Sequence, residues 1–314
     1  MKRHLIRSVV IFGVMCFACL VLPERHPTLT GAIKTSAGQV PISPQDLSEP
    51  EQMFSTFFTE GDSLSYNAYQ VVKLEKSVDD EYTKDIRVSY ALLKRNATVT
   101  ATFDGVYFGL GNATDFGLAP LLGPESKLLI VSQTIPRSGR HWVADISSDG
   151  SILFDSFDYD LGREEVWILD VDNDGVSELG LLLTAFWGFE TLAMCQHEAL
   201  PMIVFKYDAS HRKYLPANPI FGYGLEGIEE DVQRIDPGET LGSTSYAGDY
   251  LAKRLGIFLR YVYSGRRQQG WAFFERTYQL PDAAKVKANI RAKLRKEPVY
   301  RFIYGRHPNT PTQP

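Results

Sequence analysis

The sequence predicts a mainly β protein, in which antiparallel sheets form a small or partial β-propeller or a β-sandwich, followed by a C-terminal α-helical hairpin and a third helix. Between residues 69 and 217, short runs rich in β-branched and aromatic residues alternate with turn residues, a pattern typical of strands. Asp-Gly pairs at 104–105, 149–150 and 174–175 predict tight turns, because glycine accepts the positive φ that such turns need. After Gly242 the apolar residues recur at helical spacing instead.

Nine runs carry the strand signal, and we expect them to form a β domain over residues 53–240. They are Tyr69–Leu74, Ile86–Lys94, Thr98–Phe103, Lys127–Gln133, Trp142–Ile146, Ile152–Phe157, Val166–Leu169, Leu179–Thr184 and Ile203–Tyr207. The triplets at 96–98 and 112–114 are interpreted as polar turns. At roughly 45 residues per propeller blade, the region suffices for three or four blades, and a β-sandwich accounts for the same runs.

Three helices are expected in residues 241–304. Their apolar positions are Leu251, Leu255, Phe258 and Val262, then Trp271, Phe274 and Tyr278, then Val286, Ile290 and Leu294. Gly265 and Pro281 end the first two helices, and the third begins at an Asp282 cap and ends before Pro298. The first two resemble one degenerate tetratricopeptide-like hairpin, which cannot build a solenoid alone and is expected to pack on the β domain. Residues 305–314 are predicted to be a disordered tail.

The first 22 residues have the layout of a secretory signal or an uncleaved membrane anchor. A basic start precedes an uncharged apolar run from Val9 to Leu22, which is shorter than the roughly 20 residues of a comfortable spanning helix. Cys19 offers a third alternative, a lipidation site. Residues 23–52, rich in Pro, Ser, Thr and Gly, predict a flexible tether. We therefore expect an exported protein, periplasmic, in the outer envelope or secreted, with membrane attachment through this segment as one alternative.

The net charge gives the protein no long-range electrostatic attraction to nucleic acid or to an anionic membrane. The net charge is −5 and the pI is near 5.7, so no nucleic-acid partner is expected. Charge is nevertheless uneven, with acids concentrated between Asp155 and Glu178 and bases between Lys285 and Arg306. If the N-terminal segment is removed, Cys195 is the remaining thiol and cannot form an internal disulfide.

The motif with the clearest chemistry is the nine-residue stretch 170–178, Asp-Val-Asp-Asn-Asp-Gly-Val-Ser-Glu. Carboxylates at positions 1, 3, 5 and 9 converge on one point, and glycine at position 6 permits the sharp turn. Oxygen ligands at this density suit Ca²⁺, which also relieves the repulsion between four acidic groups. The predicted ligands are the side chains of Asp170, Asp172, Asp174 and Glu178 and the carbonyl of Val176.

An EF-hand is excluded, because position 12 of the loop is Leu181 and the flanking residues have strand patterns. The loop resembles the calcium loop of FG-GAP or VCBS repeats of integrin-like and bacterial surface proteins, Asp-x-Asp-x-Asp-Gly-x-x-Asp/Glu between two strands. This resemblance implies the same ligand roles. More loosely, the stretch from about Gly117 to Asn218 resembles uncharacterised exported bacterial proteins with one such loop. A second copy at 145–151 has Ser147 at position 3 and is predicted to have lost its ion and kept its turn.

Four other patterns look catalytic and are interpreted as structural. Residues 222–227 fit G-x-G-x-x-G, but prolines precede them where a parallel strand is required, which indicates a turn. His197-Glu198 lacks the second histidine of a zincin helix, and Cys195 is two residues from His197, so the two side chains would seldom meet. Residues 210–213 fit S-x-x-K but lie between two strand-like runs, which predicts a hairpin turn.

The third helix is basic and amphipathic, which admits three interpretations. Its cations are Lys285, Lys287, Arg291, Lys293, Arg295 and Lys296. They could contact anionic lipid, cell-wall polymer or an acidic partner. They could instead be solvated above a buried apolar stripe, or they could dock on the chain's own acidic segment, 155–178.

The function expected from the sequence is that of an exported calcium-binding β module. It would be a non-catalytic binding or scaffolding protein of the cell envelope, with an unidentified envelope protein or polymer as partner. The alternative is an envelope hydrolase whose site the fold assembles from Asp155, Arg163, His141 and His197. Convergence of these side chains in one pocket would favour the hydrolase.

Overall fold

The computed structural model describes residues 52–79, 84–105, 111–135, 138–162, 165–190, 192, 200–235 and 247–305, without the side chains of 247–249. The expected signal or anchor (1–22), the tether up to residue 51 and the tail from residue 306 lie outside the described residues. All described residues belong to one compact unit. Among them, no helix has the length and apolar character needed to cross a membrane.

The mainly β prediction is confirmed: thirteen strands in the described residues form three antiparallel sheets, none of them closed. The first sheet contains β2 (Ser63–Tyr66), β3 (Tyr69–Val78), β4 (Ile86–Arg95) and β5 (Thr98–Phe103). The second contains β6 (Ala113–Ala119), β7 (Leu128–Ile135), β8 (Ser138–Asp145) and β9 (Ser151–Asp155). The third has the order β1 (Gln52–Met53), β10 (Trp167–Leu169), β11 (Glu178–Leu182), β12 (Met202–Asp208) and β13 (Lys213–Pro216).

The second sheet is covered on both faces, which explains the uninterrupted apolar run in β7. Successive side chains of a strand point to opposite faces. Leu129 and Val131 pack in one core with residues of the first sheet, such as Leu93. Leu128 and Ile130 pack in a larger core formed with the third sheet and the helices. The second sheet therefore lies between the other two layers of the protein.

All nine predicted strands are present, but two details of the prediction are wrong. The triplet at 112–114 is not simply a polar turn, since Thr114 lies in β6 and its buried hydroxyl donates to the Ser89 carbonyl at 2.9 Å. The run Ile152–Phe157 does not stay extended to its end. The Asp155 carboxylate accepts a hydrogen bond from the Phe157 N–H at 3.0 Å and caps a 3-10 helix, Ser156–Tyr159.

The described residues contain six α-helices. They are α1 (Asn218–Phe221), α2 (Ile228–Arg234), α3 (Ala247–Tyr263), α4 (Arg267–Thr277), α5 (Ala283–Leu294) and α6 (Pro298–Tyr304). The predicted hairpin and third helix correspond to α3, α4 and α5. Gly270 lets the hairpin close tightly, because a Cβ atom there would lie 3.1 Å from the Phe258 carbonyl oxygen. Phe258 also belongs to the core shared with the third sheet, so the hairpin packs on the β region as expected.

Three expectations for the helix ends are corrected. The second helix ends at Thr277 and does not reach Pro281. Asp282 occupies the cap position of α5 without capping it, and its carboxylate accepts from the Tyr278 hydroxyl at 3.2 Å instead. Pro298 begins a further helix, α6, because proline suits a first helical position and the Glu297 carboxylate caps the N–H groups of the next residues.

Candidate metal site in the β10–β11 loop

The candidate site is the loop between two paired strands of the third sheet. Strands β10 and β11 are antiparallel, and Leu169 pairs with Glu178, so the acidic stretch forms the tip of a hairpin. Gly175 has φ +79°, as expected for position 6 of the motif, and Asn173 is also left-handed at φ +56°. The chain therefore reverses sharply in the middle of the loop.

Backbone N–H groups hold two of the three aspartate carboxylates in place. Asp170 accepts from the N–H groups of Asp174 and Gly175, both at 3.1 Å. The Asp174 carboxylate accepts from the Val176 N–H at 2.8 Å. Carboxylate oxygens of Asp170, Asp172 and Asp174 lie within 4.8 Å of one another. Since Ca²⁺–oxygen bonds are about 2.3–2.6 Å long, one ion placed between these oxygens could reach all three.

Glu178 differs from the three aspartates because its side chain is fully buried. It is the first residue of β11, and its Oε2 accepts from the Val171 N–H at 2.8 Å. Burial raises the pKa of Glu178, while the hydrogen bonds from Val171 and Lys206 act in the opposite direction. A buried carboxylate of this kind needs a cation beside it to remain ionised at low cost.

The cation beside it is Lys206 of β12, which the sequence analysis missed. Its Nζ lies 2.8 Å from Asp172 Oδ2, 2.8 Å from Asp174 Oδ2 and 3.1 Å from Glu178 Oε1. Burial opposes the charged form, but the hydrogen bonds to the three carboxylates outweigh it and raise the pKa of Lys206. The hydrogen bond from Lys206 in turn lowers the pKa of Asp174. The ammonium is thus held charged among three of the predicted ligands.

The role of Lys206 can be recognised from the pairing register of β11 and β12. Leu179 pairs with Phe205, which places Glu178 opposite Lys206 on the neighbouring strand. Lys206 is also the one charged residue within the predicted strand Ile203–Tyr207. A cation in an otherwise apolar strand beside an acidic hairpin is a recognisable signal once the two strands are known to pair.

The second, degraded loop also receives a cation. Gly150 has φ +77°, so the predicted turn at 145–151 is present. Arg212, in the turn between β12 and β13, lies with Nη1 2.7 Å from Asp149 Oδ2 and with Nη2 3.2 Å from Asp145 Oδ2. The hydrogen bond from Arg212 holds the pKa of Asp149 well below its usual range. One hairpin, β12–β13, therefore supplies a basic side chain to each acidic loop.

Two of the motifs that were interpreted as structural form turns, and the others lie outside the described residues. Gly222, Gly224 and Gly227 all have positive φ and form the turn between α1 and α2, after the antiparallel strand β13. Residues 210–213 connect β12 to β13 as a hairpin turn and its following residue. Cys195 and His197 lie outside the described residues.

The residues proposed for a hydrolase site do not converge where they are described. Asp155 is bound by the Arg140 guanidinium at 2.6 and 3.0 Å and by the Trp142 Nε1–H at 3.1 Å. His141, between those two residues on β8, points to the opposite face, where it is fully buried with Nδ1 2.8 Å from Ser132 Oγ. The other two members, Arg163 and His197, lie outside the described residues.

The assignment of the loop depends on its own geometry. In comparisons with known proteins, no family model, no curated protein and no solved structure matched the chain. No ligand set or activity is therefore transferred to these residues from a relative.

Proposed function

We propose that the chain is an exported, calcium-binding β module that acts without catalysis as a binding or scaffolding protein of the cell envelope. The observation that carries the proposal is the convergence of three of the four predicted carboxylates in one hairpin loop, with the fourth linked to two of them through Lys206. Oxygens of Asp170, Asp172 and Asp174 lie within 4.8 Å of one another, and Glu178 shares the cation Lys206 with two of these aspartates. The partner would be an envelope protein or polymer.

The donor set favours Ca²⁺ over softer metals. All the predicted ligands are hard oxygen atoms, and neither sulfur nor imidazole belongs to the set. The placement of the loop between two antiparallel strands supports the proposed likeness to an FG-GAP or VCBS calcium loop. Four carboxylates supply fewer ligands than the six to eight oxygens that Ca²⁺ takes, so the Val176 carbonyl and water molecules would complete the shell.

In the proposed site, the Lys206 ammonium and a calcium ion compete for the same carboxylates. The ammonium contacts three of the four carboxylates that a Ca²⁺ ion would need. Calcium therefore has to displace Lys206 from its hydrogen bonds before it can collect these ligands. This cost points to weak binding, in the range of about 10⁻⁴–10⁻³ M that extracellular calcium modules show.

The test is the thermal stability of the protein with and without calcium. A ligand that binds only the folded state adds about 2.7 kcal/mol at a hundredfold excess over its dissociation constant, which raises Tm by about 4–5 °C for a chain of this size. Asp172→Ala and Asp174→Ala should abolish the calcium-dependent shift, because each removes a central ligand. Asp149→Ala, in the degraded loop, is the matched control and should keep the shift. An unchanged wild-type melting curve after EDTA treatment, with no calcium found by elemental analysis, would show that the loop is only an acidic turn.

A further inference from the structure

The turn after α3 and the turn before α6 lie at the same end of the helical region. The Tyr263 hydroxyl, at the end of α3, donates to Glu297 Oε2 at 2.9 Å, just before α6. Helices α4 and α5 run antiparallel beside this point, since Glu275 pairs with Lys287 while Trp271, one turn earlier, meets Arg291, one turn later. The start of α4 and the end of α5 therefore lie at the same end as the Tyr263–Glu297 contact.

This end, which we call the basic end, carries seven exposed cationic residues. They are Arg266, Arg267, Arg291, Lys293, Arg295, Lys296 and Arg301. Within the part of the chain that the structure describes, none of the seven forms an ion pair, and the nearby Glu297 is buried. At the opposite end, by contrast, Lys285 and Lys287 pair with Glu190 and Glu275. The described ion pairs of α5 thus do not involve the acidic segment 155–178.

Two aromatic rings and one carbonyl hold three guanidinium groups of the basic end without neutralising them. The Arg291 guanidinium lies 4.9 Å from the centre of the Trp271 ring, and that of Arg267 lies 4.9 Å from the centre of the Tyr304 ring. Arg295 Nε donates to the Arg291 carbonyl at 3.2 Å. Stacked guanidinium groups keep their N–H donors in fixed directions, and planar forks of this kind match phosphate oxygens.

The most exposed large apolar side chain of the described residues belongs to a helix that packs against the turn before Arg266. Ile220 is 74% exposed and belongs to α1, next to Pro219. A Cβ atom on Gly265 would lie 3.3 Å from the Pro219 Cβ atom, so α1 packs against the turn that precedes Arg266. The Ser264 hydroxyl also donates to the Tyr223 carbonyl at 2.5 Å, just after α1. The basic end therefore combines unpaired cations with a protruding isoleucine.

We propose that the basic end binds the anionic phospholipid surface of a membrane. The guanidinium and ammonium groups would contact lipid phosphates, and Ile220 would enter the boundary between head groups and acyl chains. A soluble polyanion would match the cations but would leave the isoleucine in water, whereas a membrane surface places an apolar phase directly behind its negative charges. The carboxylates of the loop 170–178 take no part in this contact. Because the centre of the Phe221 ring of α1 lies 5.6 Å from Lys206 Nζ, the contact is tested without calcium.

The experiment is co-sedimentation of the full chain with vesicles in EDTA, which removes any calcium bridging. Vesicles of phosphatidylcholine alone are compared with vesicles that also contain phosphatidylglycerol. Each basic residue near an anionic surface contributes roughly a fivefold gain in binding, so four of them amount to two orders of magnitude or more. Substituting Arg266, Arg267, Arg291 and Arg295 by Gln should therefore remove the preference for anionic vesicles, and added salt should weaken wild-type binding in the same way.

Two further variants make the result decisive. Substituting Lys84, just before β4, and Arg87, Lys94 and Arg95 of β4 by Gln removes the same charge elsewhere and should leave vesicle binding near the wild-type level. Ile220→Ser should weaken vesicle binding but not binding to heparin, a soluble polyanion. Equal losses for the two fourfold variants would overturn the proposal, as would a wild type without preference for anionic vesicles. If Ile220→Ser binds vesicles as well as the wild type does, the partner of the basic end is a soluble acidic polymer and the membrane proposal is wrong.

Discussion

Replacing Lys206 by Met tests whether the lysine and a calcium ion use the same oxygens. Methionine keeps the length and apolar character of the side chain but removes its charge. The four carboxylates of the loop would then have no internal cation. If the two cations exchange, Lys206→Met should bind calcium more tightly than the wild type and should be less stable without it.

The expected change in calcium affinity follows from how exposed each carboxylate that contacts Lys206 is. The side chains of Asp172 and Asp174 are 38% and 43% exposed, so their pairs with Lys206 contribute at most about 1 kcal/mol each. The Glu178 side chain is fully buried, which places its pair with Lys206 at about 1 kcal/mol or somewhat more. Together these contacts amount to about 2 kcal/mol, and removing them should tighten the calcium dissociation constant roughly 30-fold. The calcium-free variant should lose about the same 2 kcal/mol of unfolding free energy, because its carboxylates lose the same contacts.

The two quantities are measured separately. Titration calorimetry gives the calcium dissociation constant, and denaturant unfolding in EDTA gives the stability of the calcium-free protein. Lys213→Met, on the same hairpin but bonded to the Ile152 carbonyl at 2.5 Å, is the control and should leave the calcium dissociation constant unchanged. A Lys206→Met variant that is destabilised but binds calcium no more tightly would refute the exchange, because the ion would then lie elsewhere.

Two predictions concern the scaffold. Gly117→Ala should destabilise the protein by about 1–3 kcal/mol in urea unfolding, because its Cβ atom would lie 1.8 Å from the Phe57 carbonyl oxygen. In Gly162→Ala the nearest neighbour of the new Cβ atom would be 3.6 Å away, so its unfolding free energy should stay within about 0.5 kcal/mol of the wild-type value. Similar losses for the two variants would contradict this packing. Hydrogen bonding from Ser210 lowers the pKa of Asp208 to about 2 from 3.8, so this carboxylate stabilises the fold above pH 3.8 and ceases to do so as the pH falls through about 2. In Asp208→Asn the melting temperature should therefore fall less between pH 4 and pH 2 than in the wild type, and parallel curves would count against the lowered pKa.

Much of the fold followed from local patterns, and the exceptions have physical causes. The nine predicted strands are long enough for their β-branched and aromatic residues to be recognised. Strand β6 was missed because it contains Gly117 and a buried Thr114, whose polarity is compensated by Ser89 on another sheet. Helix α6 is not evident from its sequence, because proline indicates a helix end as well as a helix start, and the cap from Glu297 decides for a start.

The candidate loop was predicted from spacing, but its electrostatic partner was not. The positions of Asp170, Gly175 and Glu178 follow from the motif, since the turn and its flanking strands are local. Lys206 lies on a strand that joins the site through pairing in the sheet, and no spacing rule within one segment indicates that contact. The distribution of charge around a site depends on register, which the sequence analysis did not assign.

The pairing of β1 with β10 has a consequence for how the loop forms during folding. Gln52 pairs with Ile168, about 115 residues later in the chain and two residues before Asp170. The strand that enters the acidic hairpin is thus completed on its outer edge by a segment that is synthesised long before it. Closing such a large loop is slow because of its entropy, so the third sheet should reach its final form after the two sequential meanders, β2–β5 and β6–β9. The acidic hairpin would then be among the last parts of the β region to become rigid, and its contacts with Lys206 would form only when β12 joins the same sheet.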